Sequence, residues 1–205
     1  SGTGAAVAAN LGTIGVGEDT GGSIRLPASF DNLVGLKVTP GLISRTGMSP
    51  LVVFQDSAGP MCRTVLDAAK LLEVMVGFDP ADPYTATAAI SGEVNYSERL
   101  EAGALRGSTV GVLRSAFGDD SNEDAAAVNQ LIRAAIDAMA AAGARIVDVT
   151  VPDLDYYIEY TSLYVNHSRH DIDKFLSSRP GVPMKTFKEI FDSGKYHPAI
   201  DLFTV

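Results

Sequence analysis

The chain has 205 residues, 46% of them hydrophobic and 20% charged, enough for one large domain or a piece of a larger one with a real core. Its 16 Lys and Arg against 25 Asp and Glu leave a net charge of −9, with no basic run, which argues against the electrostatic footprint of a nucleic-acid binder. The single cysteine, Cys62, excludes an internal disulfide framework and fits a reducing, cytoplasmic setting, and no apolar run approaches a membrane span.

The opening "SGTGAAVAANL" has neither an initiator Met nor a basic leader, and reads as the middle of a longer protein. Gly4 to Gly12 predicts a small-residue helix closed by Gly12. Thr13 to Gly17, "TIGVG", predicts a buried strand. "EDTGGS" then turns the chain, and "SIRLPASF" starts a short helix limited by Pro27. Leu33 to Gly47 holds β-forming residues around the turn "TPG". In "DSAGPMCRTVLDAAKLLEVMVG" a helix is predicted from the cap Thr64, with Asp67 three residues on and Gly77 closing it. Val65, Ala68, Ala69, Leu72 and Val76 share its apolar face.

A polar, proline-marked connector, "FDPADPYTATAAISGEVNYSERLE", follows. Thr109 to Leu113 reads as a strand. Ser121 or Asn122 caps a long helix whose first-turn acids suit the helix dipole. Val128, Leu131, Ile132, Ala135 and Met139 repeat along it at helical spacing, and Gly143 is its C-cap. "RIVDVTVP" is the next strand. Strand, helix, strand at this spacing is a βαβ unit with parallel pairing, hence an α/β protein. Tyrosine-bearing amphipathic helices joined by "SSRPGVP" complete the chain.

The chemistry concentrates in "EDTGGSIR". A serine is a weak nucleophile until a base takes its proton, and acyl transfer needs donors aimed at the developing oxyanion. Consecutive amides in a glycine turn supply such donors. Thr20, Gly21, Gly22 and Ser23 therefore have the make-up of an oxyanion hole, with Ser23 Oγ as nucleophile and Asp19 and Arg25 flanking as a charged pair. Composition alone leaves the plainer alternative open, a turn whose serine caps the next helix. The G-x-S-x-G pattern of α/β-hydrolases is absent, because Arg25 stands where its last glycine would be.

The run from "GEDTGGSIRLPASFDNLVGLKVTPGLISRTGMSP" to "QDSAGPMCRTVLDAAKLLEVMVGFDPADP" strongly resembles the amidase signature family. That family's core reads G-T-D-T-G-G-S-I-R-x-P, then V-G-L-K-P-T, then D-x-x-G-P-x-x-R-T. The close match covers Ser1 to Pro83. It implies a single, partial amidase signature domain over 1–205, with a signature core and nucleophile loop in 1–83. The βαβ unit and a variable helical region would occupy 84–205. It also implies a mixed β-sheet core sandwiched between layers of α-helices, and amide hydrolysis by a serine–serine–lysine triad.

By position the resemblance makes Ser23 the acyl-forming nucleophile and the amides of Thr20, Gly21, Gly22 and Ser23 the oxyanion hole. Asp19 and Arg25 support the loop, and Asp56 and Arg63 are structural. Glu18 stands where Thr is commoner, and Val38 where Pro is usual. The cis-held serine and the lysine of the triad fall before Ser1, and Lys37 and Lys70 match non-catalytic positions. On that reading residues 1–205 alone would not turn over an amide at an enzymatic rate.

The resemblance implies no metal or organic cofactor. It implies a small-molecule or peptide amide as substrate, and leaves open a homodimer. Two rivals stand beside the amidase: the glutaminase-like subunit of a tRNA-dependent amidotransferase, and a non-catalytic fragment or pseudoenzyme. His167 and His170 lack the companions of a metal site and are read as surface or core histidines, and His197 as loop. Cys62 is read as a small buried hydrophobe. Tyr156, Tyr157, Tyr160 and Tyr164 are read as packing residues, with a substrate entry as the alternative. Asp79, Asp82 and Pro83 lack the Gly and Glu of a calcium loop.

Overall fold

The structure is a computed structural model and describes residues 1–92 and 94–200. The chain divides into two compact units, Ser1–Arg99 with the segment from Ser162 onward, and Leu100–Thr161. Residue 83, where the close motif match ends, lies inside the first unit.

In the first unit, helix α1 (Gly2–Ala8) leads to strand β1 (Gly15–Asp19), helix α2 (Arg25–Phe30) and the short strand β2 (Val34–Gly35). Strand β3 (Ser57–Cys62) follows, then α3 (Val65–Met75) and α4 (Ala86–Ser91). The three strands form an antiparallel sheet in the order β1-β3-β2, with Gly17 opposite Gly59. β1 lies two residues later than the pattern predicts, and α4 falls inside what reads as a connector.

β3 is the strand that the sequence hides. "SAGPMC" lacks alternation because every one of its residues is buried, and Pro60 argues against a central strand. The proline is tolerated by geometry. Its carbonyl accepts from Leu36 N on the β2 side, so its missing N–H would also point there, where β2 has already ended. Side chains of β3 then serve two cores. Ala58 joins Val38, Ile43 and Leu72 of α3, while Met61 joins Ile24 and Ala28 of α2. Cys62 is fully buried beside them, as its apolar context predicts.

The Thr64 cap is formed: its side chain accepts from Asp67 N. Ala68, Ala69 and Leu72 face inward, whereas Val65, at the first helical position, is 55% exposed. Gly77 N donates to Leu42 O, and Ile43 bridges Val76, tying the end of α3 to the segment after the "TPG" turn. Arg63 donates to Val7 O and Asn10 Oδ1, pinning the end of α1. Arg45 and Asp82 form a buried, two-pronged pair, with Nη2–Oδ1 2.8 Å and Nε–Oδ2 2.9 Å, so Asp82 is structural. From the far end of the chain, α7 (Tyr164–Ser178) and α8 (Phe187–Ser193) complete this unit.

The second unit holds β4 (Thr109–Leu113), α5 (Glu123–Ala141), β5 (Arg145–Val149) and α6 (Leu154–Tyr160). β4 and β5 pair in parallel, Thr109 with Arg145, as the βαβ pattern requires. Asn122 caps α5 and Gly143, at φ +99°, ends it. The buried stripe differs from the predicted one. Asn129 and Ile136 are inside, while Val128 and Leu131 are 58% and 72% exposed. The Asn129 amide donates to Gly118 O and Asp120 Oδ1, and these bonds fix the rotation of the helix. Among the described residues no helix is long and apolar enough to cross a membrane.

Gly59 tests the sheet. A Cβ there would lie 2.0 Å from Leu36 O and 2.9 Å from Ile24 Cδ1, whereas one at Gly77 would meet nothing within 4 Å. Gly59→Ala should cost about 3 kcal/mol in urea denaturation because backbone must move, and Gly77→Ala should be near neutral.

Candidate active site

The turn after β1 is built on one carboxylate. Asp19 ends the strand fully buried, with its side chain aimed back under the turn. Its Oδ1 accepts Gly22 N at 2.7 Å and Arg25 Nη2 at 3.3 Å. Its Oδ2 accepts Ile24 N at 3.1 Å, Arg25 N at 3.4 Å and Arg25 Nε at 3.1 Å. Burial pushes the Asp19 carboxyl up, but the Arg25 guanidinium and the Ile24, Gly22 and Arg25 amides outweigh it and hold it at about 2.

Gly22 sits at φ +144°, a conformation that L side chains rarely adopt, and is buried within this turn. Its N–H is committed to Asp19. Of the four amides singled out in the sequence, those of Thr20, Gly21 and Ser23 donate to no acceptor among the described residues. Ser23 is exposed, its hydroxyl makes no hydrogen bond among those residues, and α2 begins two residues later.

The other arm of the turn is held at Thr20. Its hydroxyl donates to Asp56 Oδ1 at 2.5 Å, and Asp56 also accepts the Leu51 and Val52 amides. Lys37 braces the base: its Nζ donates to Asp19 O at 2.8 Å, Gln55 O at 2.6 Å and Ser57 Oγ at 3.0 Å. An ammonium has three donors, and all three are used here. Burial pulls Lys37 down from its ordinary value, with Asp19 pushing back.

The sequence marks one neighbour of the turn only as a packing aromatic. Tyr164, the first residue of α7, packs on Gly21 so closely that a Cβ there would lie 2.7 Å from its hydroxyl. α7 is anchored beside the turn by Asp171, whose carboxylate accepts Val53 N at 2.9 Å. Along α7 runs a cleft of about 510 Å³ lined by Glu18, Arg45, Phe54, Tyr84, His167 and His170 among others. Both histidines thus line a cleft, and His167 stands edge-on to Phe54. Among the described residues no group of three or more His, Cys, Asp or Glu could hold a metal ion.

A nucleophile-type serine on a clamped glycine turn is a local feature that several folds could present. The Amidase family model matches residues 1–196. The chain belongs to the amidase signature family. A relative in Chlorobium chlorochromatii (strain CaD3), a glutamyl-tRNA(Gln) amidotransferase subunit, is 39% identical over 181 residues, covering 88% of this chain and 37% of the relative. The peptide amidase of Stenotrophomonas maltophilia superposes with a TM-score of 0.84 at 32% identity, over 99% of this chain and 42% of that one. A peptide amidase solved with the competitive inhibitor chymostatin gives 0.84 at 34%, over 94% and 39%. The mixed α/β architecture is therefore that of amidase signature enzymes. The chain spans about two fifths of the length of the relatives it matches.

Glu18, beside the clamp, provides a test by pH. Its Oε1 is buried without a hydrogen-bond partner among the described residues, and burial, with the Asp56 charge second, raises its carboxyl to about 7. A raised carboxyl lets the folded state hold a proton that the unfolded chain has lost. Stability is then full below the ordinary value of 4.5 and falls as pH rises towards 7. Glu18→Gln should remove this loss, leaving the melting temperature near wild type at pH 4 and above it at pH 8. Equal differences at both pH values would contradict the assignment.

Proposed function

We propose that the protein carrying this chain hydrolyses a carboxamide through an acyl-enzyme on Ser23. The observation that supports this most directly is the Asp19-clamped turn, which leaves Ser23 exposed beside amides with no acceptor among the described residues. Ser23 Oγ attacks the amide carbonyl as its proton passes to a base. The oxyanion is received by the amides of Thr20, Gly21 and Ser23, with Gly22 shaping the turn rather than donating in this conformation. Collapse of the tetrahedral species breaks the C–N bond, and the nitrogen leaves as ammonia or an amine after taking up a proton. Water then attacks the Ser23 ester, releasing the acid and regenerating the hydroxyl.

Asp19 and Arg25 act as supports. The resemblance places the base outside these residues; within them every Lys37 donor is bound to structural oxygens, and Lys70 is exposed on α3. The resemblance assigns that role to a lysine acting through a cis-held serine. The substrate proposed is a small-molecule or peptide amide, and the peptide amidase likeness favours a peptide amide.

A second reading is favoured by the relatives named as glutamyl-tRNA(Gln) amidotransferase subunits. There the same chemistry would release ammonia within an assembly. Co-purification of further subunits, together with ATP-dependent amidation of charged tRNA, would select that reading over a free-standing amidase.

In the full-length protein a fluorophosphonate should label Ser23, and Ser23→Ala should abolish both labelling and turnover. Unchanged turnover would end the proposal. Gly22→Val should lose roughly 10²–10³ in kcat, the scale of one lost oxyanion donor, because it displaces the turn that aims the Thr20, Gly21 and Ser23 amides, and it should also destabilise the fold. A rise in KM alone would make Gly22 a plain turn residue.

A further inference from the structure

We infer that the cleft along α7 receives the acyl side of the substrate, and that Arg179 and Lys174 at its far end select a peptide amide bearing a carboxylate there. The inference rests on the reading of Ser23 as nucleophile and names a substrate class for it.

The cleft is lined by two arginines stacked on aromatic rings, and they differ in one respect. Arg45 lies 4.2 Å over the Tyr84 ring, and its fork is filled by Asp82 and the Val53 carbonyl. Arg179 lies 4.6 Å over the Phe175 ring, and its guanidinium meets no acceptor among the described residues. Stacking holds a guanidinium in place and leaves its edge donors free for a carboxylate. Lys174, on the same wall, is paired with no acid among the described residues either. Asp171, three residues before it, is spent on Val53 N. In a chain with a net charge of −9, two unpaired cations on one cleft wall suit an anion that a ligand brings.

The other end of the cleft has the opposite sign. Glu18 and the buried Asp56 line it, and Asp56 also accepts the Thr20 hydroxyl, so this end adjoins the turn that carries Ser23. A neutral carboxamide fits beside these acids, whereas a carboxylate is repelled. The polarity therefore sets a direction, with the carboxamide towards the turn and the anionic group towards Arg179. Between the two ends Phe54, Tyr84 and Phe175 offer apolar surface, and the volume of about 510 Å³ is that of a small-ligand site. Tyr164, which packs on Gly21, and Lys174 are separated along α7 by about 15 Å. An extended peptide covers that distance in about four or five residues. The substrate that fits is a peptide amide with an acidic residue about four positions before the one bearing its carboxamide.

The test uses the full-length protein and two blocked pentapeptide amides, one with Glu at its first position and one with Gln there, alanine filling the rest. Wild type should prefer the Glu peptide by about three- to tenfold in kcat/KM, mainly through KM, the scale of two exposed ion pairs. Raising the salt to about 0.5 M should reduce that preference. Arg179→Gln and Lys174→Gln should each lower the ratio, and the double variant should bring it to about one. Arg179→Glu should turn the preference towards a peptide with Lys in that place. The ratio is read within each variant, so a loss of folded protein cancels. With Ser23 labelled by a fluorophosphonate in the wild type, equal use of the two peptides, use of neither, or a preference that survives in the double variant overturns the inference alone. A wild type in which Ser23 is not labelled overturns the reading of Ser23, and the inference with it.

Discussion

The first unit depends on a buried carboxylate that accepts hydrogen bonds from three backbone amides and a guanidinium. Asp19 is the last residue of β1 and the hub of the turn that follows. A carboxylate stripped of water is costly unless its lone pairs are filled, and here five donors fill them. The same bonds dictate the path of the chain. Gly22 must turn inward so that its N–H reaches Oδ1, and this is what forces its positive φ. Ile24 is then delivered, fully buried, onto Met61, and α2 starts from there. The exposure of Ser23 between two such constrained neighbours is a consequence of the clamp. Removing the carboxylate would free three amides at once and uncouple the strand from the helix.

The clamp is itself braced by the central strand. Lys37 joins the Asp19 carbonyl to Gln55 and Ser57, the residues that lead into and begin β3. Sheet, loop and turn are thus held by one ammonium with no donor to spare, which is why this lysine is unsuited to proton transfer although it lies near the candidate site. β3 carries cores on both faces, so a disturbance at the turn is transmitted to the packing of α2 and α3 rather than absorbed locally.

Much of this was legible in the residues. Caps at Thr64 and Asn122, the Gly143 terminus and the β4–α5–β5 parallel unit all follow from local rules, because local hydrogen bonds decide them. The Asp19–Arg25 pair could be read from the turn between them. β3 could not, since complete burial erases alternation and Pro60 signals a loop unless the length of β2 is known. The rotation of α5 was hidden because the deciding residue, Asn129, is polar. α7 is the same lesson at the site. The helix reads as amphipathic, but its fully buried residues, Ser168 and Asp171, are polar, so hydrophobic periodicity does not mark the face that carries Tyr164 to Gly21.

Glu18 and Asp19 show how adjacency in sequence becomes contrast in chemistry. Successive strand residues point to opposite faces. Asp19 therefore meets the amides and Arg25 of the turn and stays ionised, while Glu18 meets the cleft beside Asp56, without a donor for its buried oxygen. Two carboxylates cannot both be charged cheaply on that second face. The Asp56 oxygens accept the Thr20 hydroxyl and two amides, whereas the buried Glu18 Oε1 has no donor among the described residues, and its carboxyl is raised to about 7. Where Glu18 is protonated, the Thr20–Asp56 bond has no competing charge beside it, and that bond ties the Thr20 arm of the turn. The acid preceding the clamp thus bears on the same geometry as the clamp itself, from the other side of the strand.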